Sequence, residues 1–81
     1  MPGTHDETAM SARQRALTIA HFHVAKATLI VARQRAIVAR LRVLGCRTES
    51  AEHALGVFET TLSTLEDRER ELSRRVPKGR L

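Results

Sequence analysis

The chain has 81 residues, 42% of them apolar and 28% charged, which makes one small folding unit: too short for two domains and too apolar to be wholly disordered. Trp and Tyr are absent and only two Phe occur, so Leu, Ile, Val and Ala must fill the interior, and at this length apolar burial barely offsets the entropy of ordering. A single cysteine, Cys46, excludes an internal disulfide and a thiolate metal cage, which leaves a partner chain as the expected source of extra stability.

At the start of the chain, Asp6 and Glu7 precede any basic residue, and the apolar stretch from Ala16 to Ala32 is interrupted by His21, His23 and Lys26. Neither a secretory leader nor a transmembrane segment is expected from that pattern. The lone thiol fits a reducing cytoplasm.

Residues 1–4 read as a tail. Thr4 and Glu7 have the spacing of a capping box, so a first helix is expected over 5–44. Gly45 is the one interior glycine placed to end it, with 45–47 as the turn. Thr48 is placed to cap a second helix over 48–76, whose first turn carries Glu49 and Glu52, the sign that suits a helix N-terminus. Pro77 stops that helix, and 77–81 form a basic tail. Gly56 and the Thr60, Thr61, Ser63, Thr64 run weaken the second helix, so tertiary contact must hold it. Two long helices joined this tightly fold back antiparallel. The expected fold is all-α: an antiparallel coiled-coil hairpin spanning 5–76.

The apolar pattern predicts the seam. Ala51, Leu55, Phe58, Leu62, Leu65, Glu69, Leu72 and Val76 alternate in steps of four and three, as do Ala20, Val24, Ala27, Val31, Gln34, Val38 and Leu41. Matching the two rows end to end sets Leu41 against Leu55, Val38 against Phe58, Val31 against Leu65, Val24 against Leu72 and Ala20 against Val76. Gln34 then lies beside Leu62 as a register device, and Glu69 faces Ala27, with Lys26 near enough to neutralise it.

The first helix carries a second apolar strip. Phe22, Ala25, Leu29, Ala32, Ala36, Ala39 and Val43 lie roughly opposite the seam. Basic rows separate the strips, Arg35 and Arg42 on one side and Lys26, Arg33 and Arg40 on the other. One hairpin covers only one strip. The expectation is therefore a homodimer in which the first helices pack through Phe22, Ala25, Leu29, Ala32, Ala36 and Val43, forming a four-helix bundle.

Charge is sorted along the chain. From Thr8 to Thr48 there are eight Lys or Arg and no acid; from Glu49 to Ser73 there are seven acids and two Arg; Arg74, Arg75, Lys78 and Arg80 close the chain. The acidic second helix is the natural counterpart of the basic first, which favours their pairing with each other. Arg13, Arg15, Arg74, Arg75, Lys78 and Arg80 gather at one end as a basic pole able to hold an anion, whether nucleic acid or an anionic surface. No aromatic residue is interleaved there for base stacking, and no nucleic-acid-binding motif is present.

Other chemistry is poorly supplied. His21 and His23 are two residues apart and point about 200° away from each other on a helix, so they cannot share an ion; no metal and no cofactor is expected. His23 borders the seam and is expected against Leu72, with His21 and His53 solvated. Cys46 lies in the turn, exposed. The Ala-Arg-Gln-Arg-Ala string occurs at 12–16 and 32–36, but twenty residues turn the copies to different sides. A two-helix hairpin offers no concavity in which nucleophile, base and orienting group converge, so no catalytic residue and no enzymatic activity is expected. Glu66 with Arg70 and Glu71 with Arg75 are four-residue salt-bridge spacings.

Over about half of the chain, from Ile30 to Leu72, a set of motifs resembles small helical-hairpin proteins of alphaproteobacteria such as rhizobia. The motifs are Arg33-Gln34-Arg35, Ala39-Arg40-Leu41-Arg42-x-Leu44-Gly45, Thr48, Ala54-Leu55, Phe58-Glu59-x-Thr61-Leu62 and Arg68. The chain departs from them at Cys46, where they commonly carry His, and over Glu66 to Glu71, where their second helix ends rich in Arg or His. The resemblance implies a hairpin fold and a bacterial, cytoplasmic setting, and it implies no activity. The expected function is a self-associating interaction or scaffolding module, also able to take an unidentified protein partner; the alternative is a small basic binder of nucleic acid or an anionic surface through its tail.

Overall fold

A computed structural model describes the backbone of residues 4–76 and the side chains from Ser11 onward. The Thr4–Glu7 cap and the tail residues Lys78 and Arg80 lie outside the residues whose side chains are described. Two helices make up the fold, α1 over Thr4–Val43 and α2 over Glu49–Arg75, packed against each other as a hairpin 67 Å long. The two helices begin and end within a residue of the expected limits.

The turn follows from one glycine. Gly45 has φ +73°, in the left-handed region that a Cβ penalises by about 1–2 kcal/mol. That conformation folds the chain back so that the Gly45 N–H donates to the Arg42 carbonyl at 3.1 Å and the Cys46 N–H to that of Leu41 at 2.9 Å. These two bonds make a Schellman cap and satisfy carbonyls that the helix end would leave unpaired. At the other end of the chain Val76, preceding Pro77, is extended (φ −94°, ψ 123°), as the proline ring requires. Thr48 departs from expectation: its hydroxyl caps no backbone N–H and donates instead to Glu52 Oε2 at 2.5 Å. Its ψ of −5° is already helical, whereas a capping side chain needs an extended one.

A Cβ built on Gly45 or on Gly56 meets nothing within 4 Å, so backbone conformation alone decides the effect of substituting either. Gly45→Ala is expected to destabilise the hairpin by about 1–2 kcal/mol. Gly56→Ala, inside α2 and free of positive φ, is expected to stabilise it by about 1 kcal/mol. Urea denaturation of the two variants gives midpoints displaced in opposite directions.

The interior is thin and lies on α1. Ala20, Ala27, Val31 and Val38 are its buried residues, and α2 contributes none. Val24, Gln34 and Leu41 are half-buried, as are Leu55, Phe58, Leu62, Leu65, Glu69, Leu72 and Val76. The helices meet along these rows in a register different from the expected one. Gln34 Nε2 donates to the Ala51 carbonyl at 2.9 Å, whereas placement beside Leu62 would hold it about 16 Å from that atom at 1.5 Å per residue. His21 reaches Glu69, Ala16 shares a groove with Leu72, and Ala27 one with Leu65. Across the seam the contacts are displaced from the end-to-end match by unequal amounts, from two residues at Arg35–Glu59 and Arg42–Glu52 to eleven at Gln34–Ala51, so the two rows are slipped toward the turn. The cause is the turn: the Schellman cap brings the chain back at once, and the matched register would need a wider loop.

Candidate interaction surfaces

The slip rearranges the polar partners. Glu69 pairs with His21, not with Lys26. Arg35 pairs with Glu59 at 3.0 Å and Arg42 with Glu52 at 2.7 Å. Arg35 and Arg42 are one heptad apart on α1, Glu52 and Glu59 one heptad apart on α2, so these pairs close one edge of the hairpin. Glu66 does not pair with Arg70, which bonds Asp67 instead; Glu71 holds Arg75 at 3.0 Å and also Arg74. His21 is bonded rather than merely solvated. His23 is exposed, tilted against Phe22 with ring centroids 6.2 Å apart, and lines a groove with Leu65 rather than Leu72. His53 is exposed.

Two carboxyls on these pairs are perturbed. The Thr48 hydroxyl and then the Arg42 guanidinium hold Glu52 below the usual glutamate range, and Arg74 followed by Arg75 does the same for Glu71. A carboxyl depressed in the folded state contributes stability that is complete above the ordinary value of about 4.3 and is lost as pH falls through the depressed one. On acidification below about 4 these two solvent-exposed carboxyls should therefore lower the thermal midpoint only slightly. Glu52→Gln should flatten part of that fall.

Opposite the seam, the second strip of α1 stands in solvent. Phe22 is 62% exposed, Leu29 70% and Val43 86%, with Ala25, Ala32, Ala36 and Ala39 exposed between them. The spacing repeats every seven residues, the requirement for packing against another helix.

A third surface was not singled out in the sequence. On the edge away from the ion pairs, His23, Lys26, Ala27 and Ile30 of α1 and Thr61 and Leu65 of α2 line an apolar groove. Ile37 and Leu44 continue the Ile30 row at heptad steps; Ile30, Ile37 and Leu44 are 39%, 42% and 62% exposed. The signal in the sequence is the row His23, Ile30, Ile37, Leu44 at seven-residue steps beside the seam.

Of the basic pole, Lys78 and Arg80 lie outside the described residues. Arg13 and Arg75 line one groove, floored by Ala12, Ala16 and Leu72. Arg15 lines another with Ile19, and Arg74 and Arg75 are both bonded to Glu71. Cys46 is exposed at the turn. Among the described residues no cluster of His, Cys, Asp or Glu is arranged to hold a metal, and no helix is long and apolar enough to cross a membrane. No protein-family model, curated protein or solved structure matches the chain, so its surfaces are the ground for a functional reading.

Proposed function

We propose that the protein is a non-enzymatic interaction or scaffolding module that self-associates through the second strip of α1. The observation that carries this is the exposure of Phe22, Leu29 and Val43 in one heptad row. Contiguous apolar strips of this kind mark interfaces, and a second hairpin placed on the row completes a four-helix bundle with α1 helices at its centre. The interior of a single hairpin is small enough for the added burial to matter. A cytoplasmic setting accords with the lone thiol. Sedimentation tests the reading: wild type at tens of micromolar, where an interface of about −6 to −8 kcal/mol operates, is expected to run as a dimer. A stable helical monomer would overturn it.

A second reading rests on Arg13 and Arg75 facing one groove. Under it, the basic end binds anionic polymers by charge, and binding to duplex DNA falls steeply with salt. Deleting the residues after Ser73 is expected to abolish such binding; retention at unchanged affinity would dispose of it.

A further inference from the structure

The hairpin has two unlike edges. On one, Arg35 and Arg42 are matched by Glu59 and Glu52. On the other, Lys26, Arg33 and Arg40 repeat at seven-residue steps beside the apolar row of Ile30, Ile37 and Leu44, and among the described residues none of the three cations has an ion-pair partner. The α2 positions along that edge, one heptad to either side of Thr61, are Ala54 and Arg68. No carboxylate is offered.

We propose that this open edge receives an amphipathic helix of another protein whose apolar face is flanked by carboxylates. The groove of Ala27, Ile30, Thr61 and Leu65 supplies the apolar half of such a site. The cation row supplies the other half, since flanking charges set the partner of a helical seam. A second copy of this chain fits poorly. Its α1 has no acid from Thr8 to Thr48, and five of its seven α2 carboxylates, Glu52, Glu59, Asp67, Glu69 and Glu71, are already bonded within the chain; the other two, Glu49 and Glu66, are not in one heptad row and so do not match cations at seven-residue steps. Nucleic acid would satisfy the cations and leave Ile30, Ile37 and Leu44 uncovered. The proposal shares the interaction-module reading but uses a different face, so the two can fail separately.

The test uses the full chain and a labelled synthetic peptide of about four heptads, with Leu at both seam positions and Glu at both flanking ones; self-repulsion keeps it monomeric. A counterpart with Lys in place of Glu is the control. By fluorescence anisotropy the acidic peptide is expected to bind at least about tenfold tighter than the basic one. The variant K26E/R33E/R40E is expected to weaken it by about tenfold or more, the combined effect of three exposed pairs. Its circular dichroism is expected to be unchanged, because the replaced side chains are exposed and unbonded. Ile37→Ser, half-exposed at the groove, gives an independent second loss, whereas Leu29→Glu leaves peptide binding intact. Equal binding of the two peptides, binding unchanged in the triple variant, or association with phosphatidylserine vesicles and not with the peptide would overturn the proposal. A wild type that is monomeric yet binds the acidic peptide overturns self-association alone, and a dimer that ignores the peptide overturns the open-edge site alone.

Discussion

Val31→Asp should abolish the folded hairpin. Val31 is 2% exposed, the most enclosed side chain of a buried set of four. Replacing it removes roughly 1.5–3 kcal/mol of apolar burial and places an ionised carboxylate in an enclosed apolar site, at several kcal/mol more. Against a total stability of about 0.05–0.15 kcal/mol per residue, the loss is as large as the whole stability expected of a chain with so thin an interior. Far-UV circular dichroism at neutral pH should show a largely unfolded protein. Val31→Ala, which leaves only a small cavity, should keep the helices with a lowered denaturation midpoint.

Leu29→Glu, two residues away on the same helix, should leave the hairpin folded and remove self-association. Leu29 is 70% exposed and makes no contribution to the seam, so the helical signal should survive. In a two-fold interface each substitution is counted twice. Losing two buried leucines at about 1.5–3 kcal/mol each weakens dimerisation by some 3–6 kcal/mol, or about 10²–10⁴ in Kd. Equilibrium sedimentation at tens of micromolar should then report a monomer where wild type reports a dimer. A variant that still dimerises would show that the copies meet through another face. The contrast between positions 29 and 31 follows from a rotation of about 200° along the helix.

The helices and their turn were legible because each has a local cause. Gly45 stands where only a left-handed residue closes the cap, Pro77 ends α2, and the heptad rows name the residues that come to lie buried or half-buried. The register was not legible. A row alternating in steps of three and four matches its partner almost as well when slipped, since Val, Leu and Ala face Val, Leu and Ala either way; the geometry of the Gly45 cap selects the alignment. The charge partners inherited that error, which is why Glu69 was assigned to Lys26 and meets His21. Compositional complementarity also hid an asymmetry. Counted along the chain, the acids of the second helix offset part of the first helix's positive charge, but Glu52 and Glu59 face one edge, and among the described residues Lys26, Arg33 and Arg40 have no counterpart on the other.

The cap at Gly45 thus acts as a ratchet pawl on a toothed rod. With teeth spaced one heptad apart, the two arms have more than one alignment of similar energy, and a few backbone bonds beside the turn decide which is occupied. Lengthening that turn would shift the phase of the arms while sparing their attraction, and would change at a stroke which cations are neutralised and which are offered to a neighbour.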